Sequence, residues 1–67
     1  MNLDIRKNIV NNFKGADIDE IKVSIVSSIE DGKEITLPGL GVFFEILWKH
    51  SDEDSKSYIL NTIKKGI

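Results

Sequence analysis

Six of the seven residues from Val42 to Trp48 are apolar, and only Glu45 interrupts them. This tract constrains the fold most, because a chain of 67 residues has little interior in which to hide it. A domain of that length buries only about 60% of the surface its unfolded chain exposes. Read as a helix, Val42 to His50 brings Glu45 and Lys49 together as an i, i+4 ion pair of favoured orientation. Val42, Phe43, Phe44, Ile46, Leu47 and Trp48 then cover the rest of the circumference, roughly two-thirds of it. Read as a strand, both faces are apolar, and a two-stranded hairpin could not conceal both in a monomer. The helix is the preferred reading, and a β-hairpin over 34–49 the alternative. Such a tract predicts a homodimer contact, with Leu40, Phe43, Phe44, Leu47 and Trp48 as the candidate interface residues.

Small domains usually rest on disulfides, a metal, oligomerisation or very regular helix packing. There is no cysteine and one histidine, His50, which excludes disulfides and leaves no ligand cluster for zinc or iron. No cofactor is expected. Nine Lys and Arg stand against eleven Asp and Glu, for a net charge of −2. That balance argues against strong non-specific nucleic-acid binding, which needs basic surface to displace counterions. Two basic clusters, Arg6-Lys7 and Lys64-Lys65, are the candidate nucleic-acid contacts if such binding exists, and nucleic acid is the less favoured partner. Met1 to Lys7 lacks the basic start, apolar run and cleavage site of a secretory signal. The longest apolar stretch, Gly39 to Leu47, falls far short of the roughly 20 residues of a membrane span. Residence in the compartment of synthesis, without a membrane partner, is the expectation.

The chain reads as one small domain, 1–67. A first helix is predicted from Asp4 to Lys14. Leu3, Ile5, Ile9, Val10 and Phe13 lie on one face, Arg6 snorkels its head group to water, and Gly15 is a left-handed terminator. Asp17-Ile18-Asp19-Glu20 opens a second helix with a capping-box variant. Ile18, Ile21, Ile25 and Ile29 form its stripe, widened by Val26. Ser24, Ser27 and Ser28 keep the rest polar, and Gly32 ends it. Lys33 to Leu37 reads as extended and Pro38-Gly39 as a type II turn. Ser51 reads as the N-cap of a last helix, with Asp52, Glu53 and Asp54 in its first turn and Lys64 and Lys65 in its last, the order the helix dipole favours. Ile59, Leu60 and Ile63 are its buried stripe, Gly66 the stop, and Ile67 folds back. The sum is an all-α bundle of about four short helices, dimeric; an α+β fold carrying the hairpin is the alternative.

Little here carries catalysis, and no enzyme is expected. His50 near Asp52, Glu53 and Asp54 reads as a helix-end histidine favoured by the dipole. Asp52-Glu53-Asp54 lacks the alternating ligands and closing bidentate Glu of a calcium loop. Leu37-Pro38-Gly39-Leu40-Gly41 lacks the following Lys of a phosphate cradle and reads as a loop allowing close helix packing. Trp48, Phe43 and Phe44 lack the interleaved basic residues of a single-strand stacking platform. A chain this short also has difficulty enclosing the roughly 300 Å³ that a small-molecule substrate needs.

Ile35-Thr36-Leu37-Pro38-Gly39-Leu40-Gly41-Val42-Phe43-Phe44-Glu45-Ile46-Leu47-Trp48 resembles the central block of the small acid-soluble spore protein I family. That family pairs a Leu-Pro-Gly-Leu-Gly-Val run with an aromatic-Glu-x-x-Trp continuation. Asn2 to Arg6 and the acidic, Ser-rich Ser51 to Ser57 extend the likeness over nearly the whole chain. The resemblance implies a protein of the endospore core, made in the forespore of spore-forming Gram-positive bacteria. It would act in sporulation or outgrowth through structural or protein–protein interaction, with no enzyme activity and no known cofactor. It carries over no functional residues. Gly32-x-x-Ile35-x-Leu37-x-Gly39-Leu40-Gly41-x-Phe43 after two short helices is also similar to the first half of the histone-like HU family of DNA-bending dimers. The long basic arms of that family have no counterpart here, and minor-groove binding of its kind needs inserted Arg and Lys. The second resemblance implies an α+β dimer and DNA association, the alternative reading.

Overall fold

Asp17 starts the longest helix by reciprocal capping. Its Oδ1 accepts from the Glu20 amide at 2.9 Å, and the Glu20 carboxylate accepts from the Asp17 amide at 3.4 Å. Two orphan amide donors are thereby satisfied. In the computed structural model, which describes residues 4–67, this helix is α2 (Ile18–Asp31). It follows α1 (Ile5–Asn12) and precedes α3 (Leu37–Lys49) and α4 (Glu53–Lys65). A 3-10 turn, Glu34–Thr36, leads into α3. No strand occurs among the described residues, so the hairpin over 34–49 is excluded and the chain is all-α.

Gly32 ends α2 at φ 65, donating its amide to the Ser28 carbonyl. It has positive φ, the left-handed stop expected of it. Gly15 does not: α1 ends at Asn12, and Phe13 caps it with an amide bonded back to Ile9. Leu3, read as part of the first face, lies outside the described residues.

Lys33 to Leu37 is not extended, and Pro38-Gly39 is not a type II turn. Thr36 folds this link back: its Oγ1 donates to the Lys33 carbonyl at 2.7 Å and approaches the Ser28 carbonyl at 3.3 Å. Pro38 then sits within the first two positions of α3, where its missing amide would have had no intrahelical partner. Gly39 and Gly41 therefore lie in a helix rather than in a loop. Ser51 does not cap α4 either. Asp52 does, accepting from the Ser55 amide at 2.8 Å, while the Ser51 hydroxyl donates to the Leu47 carbonyl.

α1 makes the broadest contact with α3 and α2 a narrower one, while α4 reaches α3 where Lys56 lies over the Trp48 ring. Gly39 turns toward α1, where a β-carbon on it would stand 3.6 Å from Ile9 Cδ1. The Phe13 and Phe43 rings meet edge to face, centroids 5.2 Å apart. On α2 the half-buried side is Ile21, Ser24, Ile25 and Ser28, so Ile18 and Ile29 of the expected stripe, with Val26, are exposed. The expected stripe of α4 is not buried: Ile59 is half-covered, Leu60 and Ile63 are exposed, and Ile67 is 92% exposed rather than folded back.

Val42, at 7% exposure, is the one buried hydrophobic residue among those described. The Cα radius of gyration is 12.9 Å, against about 11 Å for a compact domain of this length. Accessible surface is 5629 Å², whereas a folded monomer of 7.6 kDa shows about 4,300 Å². The single chain thus exposes about 1,300 Å² more than its mass calls for.

Candidate functional site

The outer face of α3 repeats apolar residues at spacings of three, four and three: Leu37, Leu40, Phe44 and Leu47, with Trp48 beside them. About three turns of helix bring such positions onto one side. Leu37, Phe44 and Leu47 are 58%, 43% and 48% exposed, while Leu40 and Trp48 are half-buried. Phe43, expected on the same surface, turns instead toward α1 and its contact with Phe13. Four of the five candidate interface residues therefore share the free face, and the fifth, half-buried Phe43, lies on the side of α3 turned to α1.

Phe44 and Trp48, one turn apart, stack with centroids 6.2 Å apart and planes 25° from parallel. Lys56 reaches from the first turn of α4 to hold Nζ 5.2 Å from the centre of the Trp48 ring, a cation–π contact. Phe44, Trp48 and Leu60 line an open groove of about 400 Å³ between α3 and α4. On the other flank, Ile9, Phe13, Ile21, Phe43, Ile46 and Leu47 line a second apolar groove of about 390 Å³. Lys56 and Leu60 were not legible as parts of this surface, since no spacing rule spans the turn between α3 and α4. Ile9 was foreseen on an apolar face, but not its place opposite Gly39.

The polar edge is fixed from α1. Arg6 Nε and Nη2 donate to Glu45 Oε1 and Oε2 at 2.7 and 2.8 Å. Arg6 thus finds a partner while its side chain stays 70% exposed, in water as expected, and Glu45 takes Arg6 as its partner in place of Lys49. The hydrogen bond from Arg6 holds the Glu45 carboxyl below its ordinary range, with partial desolvation opposing and the charges of Arg6 and Lys49 assisting. The same bond raises the Arg6 guanidinium. Asp52 is held low chiefly by the Ser55 amide it caps. Lys7 is exposed beside Arg6 on α1, and Lys64 and Lys65 are exposed in the last turn of α4. The two basic clusters thus sit on different helices, one with half its charge already matched.

His50 caps α3, with Nδ1 3.0 Å from the Ile46 carbonyl oxygen. Among the described residues no group of three His, Cys, Asp or Glu side chains is placed to hold a metal, and no helix is long and apolar enough to cross a membrane. The chemistry the surface offers is that of association: apolar rings and branched chains, framed by a neutralised ion pair and one lysine.

The sequence of this face has relatives. The family model of small, acid-soluble spore protein I matches residues 3–67. A small, acid-soluble spore protein I of Shouchella clausii is 42% identical over 67 residues, covering 100% of this chain and 97% of that protein. Those of Bacillus licheniformis and Bacillus velezensis are each 39% identical over the same 67 residues, covering 100% of this chain and 96% and 94% of those proteins. No solved structure matches the chain. The likeness read from the Ile35–Trp48 block therefore runs through all four helices, and the chain belongs to the small acid-soluble spore protein I family.

Proposed function

We propose that this chain is a non-enzymatic protein of the spore core that works by protein association, first with a second copy of itself, through the outer face of α3. The family supports the spore; the surface supports the mode of action. One observation carries the latter: Leu37, Phe44 and Leu47 stand 58%, 43% and 48% exposed along one face of α3. The chain as a whole exposes about 1,300 Å² beyond what a monomer of this mass displays, more than the roughly 800 Å² per partner of a standard interface. The aromatic pair Phe44–Trp48 gives the patch the residue types enriched at interface centres.

Sedimentation equilibrium with tryptophan emission over a dilution series tests this. Trp48 is the sole tryptophan, so its emission reports the face directly. A dimer mass above micromolar concentration, with emission moving to the red on dilution, is the expected result. A monomer mass throughout, with unchanging emission, rejects the proposal.

A further inference from the structure

Among the described residues nothing in its own chain requires Gly41 to be glycine. It lies inside α3, where glycine costs helix stability relative to alanine. Its φ is not positive, and a β-carbon built on it would meet nothing within 4 Å among the described residues. The contrast is Gly39 in the same helix, which faces Ile9 of α1. At about 100° per residue the two glycines point to nearly opposite sides of α3. Leu37, Phe44 and Trp48 lie one turn before, one turn after and two turns after Gly41, on the free face. Beside it is an open hollow of about 270 Å³ lined by Ile5, Arg6, Pro38, Val42 and Glu45.

We infer that Gly41 is the point at which α3 crosses α3 of a second copy, with the backbones in close approach there. This rests on the self-association proposed above. A two-fold contact sets one patch against itself, so a patch centred on Gly41 meets its own copy helix to helix. A missing β-carbon at the crossing lets the axes close up, and the surrounding Leu37, Phe44 and Trp48 pack into the space on either side. Charge agrees with this arrangement. Glu45 borders the patch, and two copies would bring two carboxylates together, but each is already matched by its own Arg6.

The test is the pair Gly41→Ala and Gly39→Ala, followed by sedimentation equilibrium for the dissociation constant and circular dichroism for the fold. Alanine favours the helix at both positions, by roughly fivefold in an equilibrium constant. At Gly39 it meets an ordinary van der Waals contact, so dimer affinity is expected to hold or rise. At Gly41 it is expected to weaken the dimer by roughly tenfold or more through overpacking, with monomer helicity kept or increased. A wild-type chain that stays monomeric overturns the self-association itself. A dimeric wild type with Gly41→Ala equally tight or tighter overturns the crossing alone, as does equal weakening by both variants.

Discussion

Arg6 and Glu45, thirty-nine residues apart, meet side-on through two parallel hydrogen bonds that join α1 to the middle of α3. Fork-on-carboxylate geometry is the strong form of such contacts, yet both side chains remain substantially in water, where the net gain of an ion pair is small. The pair lies on the same side of α1 as Ile9 and Phe13, which face Gly39 and Phe43 of α3.

Acid should loosen that link. The Glu45 carboxyl is depressed in the folded chain, so its contribution is complete above the ordinary carboxylate value and is lost as pH falls through the depressed one. Asp52 behaves in the same sense. Melting temperature at fixed protein concentration is expected to hold between neutrality and about pH 5 and to fall below about pH 4. Arg6→Met should remove the Glu45 part of the acid dependence and leave the Asp52 part. An acid limb unchanged in Arg6→Met would show that the pair contributes nothing.

The capping box of α2 predicts a local cost. Asp17→Ala leaves the Glu20 amide without its acceptor and should destabilise by about 1 kcal/mol, lowering the melting temperature by about 4–8 °C in a chain of this size. Asp17→Asn, which can still accept, should lose much less. Thermal denaturation followed at 222 nm separates the two.

Gly32 holds φ 65, a conformation in which a β-carbon crowds the following carbonyl. Gly32→Ala should cost about 1–2 kcal/mol and Gly32→Asn less. Equal stability of the alanine variant and the parent in urea titration would mean that the link to α3 can be made another way.

Phe13 and Phe43 should be coupled. A double-mutant cycle to leucine, read by chemical denaturation, should give about 0.5–1.5 kcal/mol of interaction beyond the separate losses. Additivity would place the two rings apart in solution.

The helices were legible where a local signal is self-contained. Asp17 with Glu20, the glycine at 32 and the acid-to-base order of α4 each act within a single helix and its caps, so spacing reveals them. The start of α3 was not. Pro38 and Gly39 carry turn chemistry when read alone, but proline is equally at home in a helix's first turn, and what decides is the bonding of Thr36 back to Lys33 and Ser28. Ser51 and Asp52 are both competent caps, and the preceding helix decided between them by taking the serine hydroxyl. The α3 surface was half legible. Its greasiness can be counted from Val42 to Trp48, but the departure of Phe43 to α1 and the arrival of Arg6 at Glu45 depend on how helices pack. No count along one helix reports that.

A single buried hydrophobic residue among those described, Val42, also bears on how heat acts on an isolated chain. The heat capacity increment of unfolding scales with the apolar area newly wetted, and here much of the chain's apolar surface is wet before unfolding. The curve of stability against temperature is accordingly shallow, with a broad, low maximum and gradual loss on both the warm and the cold side.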